Sequence, residues 1–445
     1  MELLVSTAAF IVAIGLLVTV HEFGHFWVAR KSGVKVLRFS IGFGKILKSY
    51  QRGETTCTLC AIPLGGFVKM LDEAETEVAK SEQHRAFNRQ SVYTRIAIVG
   101  AGPLANFLLA IVLYSLVFVI GTQGVRPVVG MVEPESIAQQ SGLDTGDQLL
   151  SLNQVEVRSI GEFSSTFVES LDRQPMHIKA RSSASELKDV YLDIDDTYLN
   201  NPNQRVEQYL GFTYQLPELA AIINQVMPGT AADRAGLRSM DKVIAINGQP
   251  IHNWAEFVAF IKPNAGKVLQ LNIQRNGQEL SLNLTPELVG NQAKVGVSVF
   301  VPENHLDGHL VNIQYHWLEA LPLAVNKVYQ LSLLNLTMIK KMLLGSASVE
   351  QLSGPLSIAS FAGKSAQVGL VSFLSFLALI SVGLGLINLL PIPLLDGGHL
   401  LFYLIEIIKG SKVSQNTQQL AFKFGILVIL SLTFVALYND VLRLF

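Results

Sequence analysis

Two histidines and a glutamate near the start of the chain have the spacing of a metal-dependent hydrolase site. His21, Glu22 and His25 lie inside a long apolar segment. Residues four apart share one face of a helix, so both imidazoles can bind one tetrahedral zinc ion. Glu22 directly follows the first histidine, where the general base for a zinc-bound water is expected. Because ionisable side chains are costly in an apolar span, the setting favours a functional site over a chance match.

A third metal ligand is expected near the other end of the chain. Asp396 ends a stretch without charged residues at 365–395. Pro391 and Pro393, just before it, interrupt a helix, and the freed carbonyls need a protein-lined or water-lined place. The aspartate could complete a His-His-Asp zinc site whose fourth position is left for water. The alternative is a carboxylate at a helix end at the membrane surface.

These motifs together resemble the site-2 protease family of intramembrane zinc metalloproteases. The resemblance rests on His-Glu-x-x-His at 21–25 and on Asn-x-x-Pro-x-Pro-x-x-Asp-Gly at 388–397. It extends to Gly-Ala-Gly-Pro-Leu-Ala-Asn at 100–106 and Ser-Gly-Pro at 353–355. It covers nearly the whole chain, and the two zinc motifs together are highly specific.

The resemblance implies hydrolysis of a peptide bond inside the membrane. One zinc ion would be held by His21, His25 and Asp396. It would polarise the scissile carbonyl and lower the pKa of its water. Glu22 would take the proton and later give it to the leaving amine.

The resemblance also implies substrate contacts and partners. Asn388, Pro391 and Pro393 are expected beside the bound substrate. That substrate would be a single-span membrane protein, such as an anti-sigma factor, already trimmed by an upstream site-1-type protease. Membrane lipid is a further expected partner.

The composition indicates a protein with membrane and aqueous parts. The chain has 445 residues, of which 49% are hydrophobic, and its mean hydropathy is +0.37. Its net charge of −1 gives no indication of nucleic-acid binding. The two cysteines, Cys57 and Cys60, have Cys-x-x-Cys spacing but lack the second pair of a zinc ribbon,. We expect incidental thiols, with redox chemistry as the alternative.

Four apolar segments predict four membrane spans, each close to the ~20 residues that a bilayer requires. They lie at about 3–28, 96–120, 368–390 and 421–438, in membrane parts at 1–125 and 365–445. Between Phe26 and Arg52 there are seven basic residues and no acidic ones. The positive-inside rule puts that loop in the cytoplasm. We therefore expect both termini on the side opposite the cytoplasm. With the resemblance, this implies a protein of the bacterial inner membrane whose termini are periplasmic.

The loop at 34–90 has a β-rich first part and a polar linker. Partial alternation and repeated glycines predict hairpins near the membrane surface at 34–70,. In the resembled family such an element dips towards the active site, which suggests that its edge pairs with an unwound substrate segment. A plain surface hairpin is the alternative.

The region after the second span contains an internal repeat with an offset of 94 residues. Ala138 matches Ala232, and Asp147 matches Asp241. This pattern predicts two copies of one module, at 126–215 and 216–305, on the outer side.

The repeated unit resembles PDZ domains, which bind extended peptides by strand addition. The carboxylate-binding loops would then be formed by two triplets, Leu210, Gly211 and Phe212, and Val295, Gly296 and Val297. Both modules could instead be steric filters that bind no peptide.

The segment at 316–345 is amphipathic and predicts an interfacial helix, with a fifth span as the alternative,. The expected fold class is therefore a polytopic α-helical membrane protein. It has four spans, a membrane-associated β-hairpin element and two tandem PDZ-like α+β domains on the outer side.

The predicted function is that of a zinc-dependent intramembrane endopeptidase whose PDZ-like domains select substrates by size. One alternative is a non-catalytic PDZ membrane scaffold with a structural metal. A metal transporter would explain the three ligands, but neither the position of Glu22 nor the repeat. Substrate cleavage that is lost on chelation distinguishes the protease from both.

Overall fold

A computed structural model describes residues 2–73, 77–171, 175–194, 204–289, 292–302, 304–344 and 354–442. Several predicted segments extend into the gaps between these ranges, and Ser353 of the Ser-Gly-Pro motif lies outside the described residues. The chain forms two compact units. The first contains the residues up to Thr122 together with those from Gln314 onwards, and the second is Gln123–Ile313.

The described elements follow one another along the chain, with α-helices and β-strands numbered separately. The helices are α1 (Glu2–Lys31), α2 (Val92–Ile120), α3 (Ile137–Gln140), α4 (Ile160–Glu169), α5 (Val206–Leu210), α6 (Ala231–Arg234), α7 (Trp254–Ile261), α8 (Trp317–Leu343), α9 (Pro355–Val368), α10 (Leu370–Leu389), α11 (Asp396–Lys409) and α12 (Gln415–Leu442). The strands are β1 (Val36–Arg52), β2 (Thr55–Met70), β3 (Thr122–Val125), β4 (Val129–Val132), β5 (Gln148–Leu152), β6 (Val155–Glu156), β7 (Met176–Arg181), β8 (Leu187–Leu192), β9 (Phe212–Tyr214), β10 (Ile223–Val226), β11 (Lys242–Ile246), β12 (Gln249–Pro250), β13 (Leu269–Arg275), β14 (Gln278–Leu284), β15 (Glu287–Val289), β16 (Gln292–Lys294), β17 (Val297–Val299) and β18 (Leu310–Ile313).

Four of the described helices are long and apolar enough to cross a membrane, which confirms the predicted polytopic class. They comprise Leu4–Lys31 in α1, together with α2, α10 and α12. Helix α12 is longer than the span predicted at 421–438, because polar residues from Gln415 onwards extend it by more than a turn. The structure therefore has the apolar elements of an integral membrane protein.

Three of the four apolar helices, α1, α2 and α10, share one packed core with α8. Ala13 of α1, Ala110 of α2, Ala324 of α8 and Ala378 of α10 are all buried in it. Small side chains allow helix backbones to approach closely where the surroundings are as apolar as the helices. The core therefore fixes α1 and α10, the two helices that lead to the metal-binding motifs, against α2.

Helix α8, within the predicted amphipathic segment, has one packed face and one exposed face. Ala320, Ala324 and Val328 are buried, at the four-residue spacing of one helix side, and α8 packs against α2,. Trp317 and Tyr329 are exposed. An apolar exposed face of this kind suits a helix that contacts lipid.

The predicted β-rich loop forms a long, irregular antiparallel hairpin. Phe39 of β1 lies opposite both Val68 and Cys57 of β2, so the start of β1 has β2 residues on two sides. Gly42 and Gly44 have φ of 87° and 83°, a conformation that glycine adopts at little cost,. These bends fold the hairpin back on itself beside α1, with which both strands are in contact.

The second unit contains two four-stranded sheets with the same strand order. The first is β6-β5-β7-β8 and the second is β12-β11-β13-β14. Each has its own core, one centred on Phe163 and Phe167 of α4 and the other on Phe257 and Ile261 of α7. Helices α3 and α6 begin 94 residues apart, as do β5 and β11.

Candidate active site

The two histidines of α1 present their side chains side by side. His21 and His25 are one helical turn apart, their Nε2 atoms are 3.2 Å apart, and each residue is only 8% exposed. The predicted helical spacing therefore does bring both imidazoles together.

The interruption of the helix before Asp396 brings the Asp396 carboxylate to these histidines. Helix α10 ends at Leu389 and α11 begins at Asp396. Asp396 Oδ2 lies 3.2 Å from His21 Nε2 and 3.5 Å from His25 Nε2. Between the helices, Leu394 has φ of 121°, a conformation that costs an L-residue on the order of 1–3 kcal/mol,.

These three side chains fit a zinc ion. Ligand atoms about 2.0–2.2 Å from a tetrahedral ion are roughly 3.3 Å from one another. The measured separations of 3.2, 3.2 and 3.5 Å match this value. In the part of the chain that the structure describes, the buried Oδ2 of Asp396 has no hydrogen-bond partner. An unsatisfied carboxylate oxygen facing two imidazole nitrogens is the arrangement that a cation would complete.

Helix α2 orients both imidazole rings. His25 Nδ1 donates to the carbonyl of Ile98 at 2.9 Å, which leaves Nε2 as the ring's ligand atom,. His21 Nδ1 is 3.2 Å from the side-chain amide of the fully buried Asn106. A half-turn of that amide places Oδ1, a buried oxygen with no hydrogen-bond partner among the described residues, on the Nδ1–H,. Ser381 of α10 donates to the Asn106 carbonyl at 2.8 Å.

Two glycines allow α1 and α2 to approach this closely. A Cβ on Gly102 would collide with the His25 ring and lie 2.9 Å from His21 Cε1. A Cβ on Gly24 would collide with the carbonyl of Ala101. The first collision would displace the ligands themselves, so glycine at position 102 belongs to the site.

The hairpin lies against Glu22. A Cβ on Gly66 of β2 would be 3.0 Å from Glu22 Cγ and 2.6 Å from the carbonyl of Ser40. Residues 66–68 have their ladder partners in β1, and no other strand pairs with them in the part of the chain that the structure describes. A strand edge with no further strand partner among the described residues thus lies beside Glu22.

A buried ion pair fixes the helix that begins with Asp396. Arg95 of α2 contacts Glu406 of α11 at 2.6 Å, and its guanidinium lies 4.8 Å from the ring centre of Tyr403. The sequence analysis missed this pair. Each of the two residues is a single charge in an otherwise apolar stretch, which could have marked it as a member of a buried pair. The two residues are 311 positions apart, so the sequence did not show that they pair with each other.

The residues predicted to bind substrate lie next to the Asp396 loop. Asn388 is half-buried in the last turn of α10, and Pro391 is exposed in the loop. Pro393 is half-buried, and its carbonyl packs so closely on Gly425 that a Cβ there would collide with it.

The predicted PDZ loops are mostly core residues. Leu210, Phe212 and Val295 are buried in the two cores, and Val297 is partly buried. The Gly211 N–H donates to the carbonyl of Glu207 at 3.0 Å, so in this structure it is not available to a peptide carboxylate.

Equivalent glycines of the two modules adopt the same conformation. Gly211 has φ of 76° and a Cβ there would meet Ser136, while Gly296 has φ of 82° and a Cβ there would meet Thr230. Both positions therefore require glycine for a turn, whether or not a peptide binds.

Comparison with known proteins shows similarity over the full length of the chain. The sequence profile of peptidase family M50 matches residues 9–432. Protease RseP of Yersinia pestis is 42% identical over 450 residues, covering all of both chains. The regulator of sigma-E protease RseP of Escherichia coli (strain K12) is 42% identical over 442 residues, covering 98% of each. A protein of Vibrio cholerae serotype O1 whose name contains the words zinc metalloprotease is 40% identical over 453 residues, covering all of both.

A family profile across most of the chain and full-length relatives above 30% identity establish the family. Together with the four apolar helices, they identify this chain as a membrane-integral metalloprotease that belongs to peptidase family M50, the site-2 proteases.

Proposed function

We propose that this chain is a zinc-dependent intramembrane endopeptidase. His21, His25 and Asp396 bind the ion, and Glu22 is the general base. The observation that carries the proposal is the triangle of ligand atoms with sides of 3.2, 3.2 and 3.5 Å, beside which Glu22 occupies the next position of α1.

The residues around the site divide the catalytic work. When bound, zinc supplies a Lewis acid that polarises the scissile carbonyl and makes a water acidic enough to lose a proton near neutral pH. Glu22 accepts that proton and returns it to the leaving amine. Ile98 and Asn106 hold the imidazoles in the ligating orientation, so no ring has to turn during the reaction. Asn388 binds the substrate backbone beside the proline loop.

The substrate segment adds to the outer edge of β2 at residues 66–68. A transmembrane helix hides its carbonyls, so the target must unwind before attack. Strand addition pairs the unwound backbone with little demand on sequence, and this edge begins beside Glu22,. A substrate series that differs only in helix-breaking residues near the cleavage site tests this step. We expect faster cleavage with more breakers, and equal rates across the series would contradict it.

The second unit selects substrates by size. Its two sheets of equal strand order and its offset of 94 residues support two PDZ-like modules. With the names of the relatives, this favours a single-span regulatory substrate of the anti-sigma class, trimmed first by a site-1-type protease. The modules and both termini are periplasmic in an inner-membrane protein. Substrates with ectodomains of increasing length should be cleaved progressively less, and an equal rate for all lengths would refute the filter.

The test of the catalytic proposal is the variant Glu22→Gln, with its zinc content measured beside its activity. We expect cleavage of a truncated single-span substrate in detergent to fall by at least about 100-fold, because general-base catalysis contributes about 10²–10⁴-fold. Zinc content should stay at the level of the parent chain. The control Glu279→Gln, on an exposed part of β14, should behave as the parent chain in both.

Equal cleavage by Glu22→Gln and the parent chain would remove Glu22 as the base. Zinc bound without cleavage by either protein, over a panel of substrates, would favour the scaffold with a structural metal. If cleavage were lost on chelation and restored by adding zinc, the non-catalytic scaffold would be excluded.

A further inference from the structure

We propose that a groove between α1 and the hairpin binds one anionic phospholipid. Its cavity of about 710 Å³ falls within the roughly 300–1,000 Å³ of typical small-molecule sites,. It is lined by Thr19, Val20, Phe23, Phe26, Trp27, Arg30, Lys31, Phe39, Tyr50, Arg52, Thr55 and Cys57.

The groove is separate from the catalytic site. Successive residues of a helix are rotated by about 100°, so Phe23 and Trp27 lie on roughly the opposite side of α1 from His21 and His25. Phe23 and Trp27 are 52% and 54% exposed, whereas the two histidines are buried. Neither Glu22 nor any of the three proposed metal ligands lines the groove, so the proposed metal site does not account for it.

The charges of the groove select an anion. Arg30, Lys31 and Arg52 line the groove, and among the described residues no acidic side chain lines it. None of the three cations is ion-paired with a carboxylate in the described part of the chain. Glu54, the nearest acidic residue in sequence, is bound to Arg85, and that hydrogen-bonded guanidinium holds the pKa of the Glu54 carboxyl below its usual range. Three cations without a carboxylate ion pair among the described residues match a phosphate headgroup,.

The length of the apolar wall matches one leaflet. From Thr19 to Arg30 the helix rises by about 16 Å, at 1.5 Å for each residue. Half of a hydrocarbon core of about 30 Å is about 15 Å. Arg30 and Lys31 lie in the last turn of the span, where lipid phosphates are found, and Arg52 ends β1 on the other wall of the groove. The aromatic wall of α1 extends from Arg30 and Lys31 towards the middle of the bilayer. A free phosphate would leave this wall uncovered, whereas a phospholipid covers both parts.

The test compares lipids and variants on the full-length protein, purified in detergent and stripped of lipid. Phosphatidylglycerol, phosphatidylcholine and inorganic phosphate are added separately. Thermal stability is measured, and bound lipid is counted by native mass spectrometry. We expect phosphatidylglycerol to raise the melting temperature and to leave one molecule bound. Phosphatidylcholine should bind at least ten-fold more weakly, and inorganic phosphate should have no effect.

The variant Arg30→Gln/Lys31→Gln/Arg52→Gln should lose the preference for phosphatidylglycerol. The matched control Arg38→Gln/Lys45→Gln/Lys48→Gln removes the same charge from exposed positions of β1 outside the groove and should keep it. Trp27→Ala should weaken binding of both lipids. Zinc content equal to that of the parent chain shows that each variant is folded.

Three results would overturn the proposal. The first is equal binding of the two lipids by the parent chain. The second is equal loss in the triple variant and its control, which would indicate general surface charge. The third is a stabilisation by inorganic phosphate as large as that by phosphatidylglycerol, which would indicate a site for a free anion.

Discussion

Individual atoms around the histidines determine whether a metal can bind. The ligands His21, His25 and Asp396 could be proposed from the sequence because the His-Glu-x-x-His spacing and a single aspartate after two prolines both stand in apolar stretches. The carbonyl of Ile98 could not, because any backbone carbonyl of α2 has the same chemistry and only packing selects one. Orienting partners of this kind matter nearly as much as the ligands.

The substitution Gly102→Ala tests how tightly the imidazoles are packed. The added methyl group would collide with the His25 ring and press on His21, so the rings must move away from the positions in which they face Asp396. We expect zinc affinity to fall by about 10–100-fold, as when an orienting partner is lost. Competition with a fluorescent chelator measures this affinity.

Gly100→Ala is the matched control, because a Cβ at Gly100 meets nothing within 4 Å. It should bind zinc as the parent chain does. If Gly102→Ala also retained parental affinity, the close approach of α2 to the two rings would be irrelevant to the metal.

Among the elements, α11 shows most clearly what the sequence conceals. The apolar stretches predicted four spans, and the two prolines predicted the break at Asp396. The helical continuation from Asp396 to Lys409 was not predicted, since its glycines and its glutamate gave no sign of a buried partner. Arg95 supplies that partner from the start of α2, and such a distant pairing leaves no local pattern.

The substitution Glu406→Gln should loosen the helix that carries Asp396. Arg95 would keep its charge in a largely buried place without its carboxylate partner. Removing one member of a buried pair costs about 3–5 kcal/mol, and the partial exposure of Glu406 places the expected loss near 3 kcal/mol. Hydrogen exchange of 396–409 should become faster, and zinc affinity should fall.

Lys409→Gln, at the exposed end of the same helix, should change neither quantity. Unchanged hydrogen exchange and zinc affinity in Glu406→Gln would mean that core packing alone positions α11.

The whole molecule divides into two units whose stabilities should be separable. The repeat at 94 residues was visible in the sequence because both copies need the same turns: Asn153 and Asn247 both have φ of 49°. Other equivalent contacts of the two copies were not visible, because the partner residues differ. The buried Asp147 pairs with Lys188, whereas its counterpart Asp241 pairs with Arg275. The packed face of α8 could not be predicted without the position of α2. An amphipathic pattern does not show whether the apolar face of a helix contacts protein or lipid.

The substitution Asp241→Asn should destabilise the second unit and leave the metal site unchanged. The fully buried Asp241 accepts two hydrogen bonds from Arg275, both at 2.8 Å, and one from the Arg238 N–H. An amide cannot accept all of these, so we expect a loss of about 2–4 kcal/mol. Limited proteolysis of the full-length protein should show faster cleavage within residues 221–297. The zinc content should be unaltered.

Asp307→Asn, at an exposed position of the same unit, is the control and should resist proteolysis as the parent chain does. Zinc loss in Asp241→Asn would show that the two units do not fold independently.

The central claim is that ligands from two ends of the chain form one metal centre. It is tested most directly by counting zinc ions in the purified parent chain and in His21→Ala, His25→Ala and Asp396→Ala. We expect one zinc ion for each parent chain and a large loss in every variant, including Asp396→Ala, whose substitution lies 371 residues from His25. Parental zinc content in Asp396→Ala would contradict the account, because the histidines would then hold the ion without the distant carboxylate.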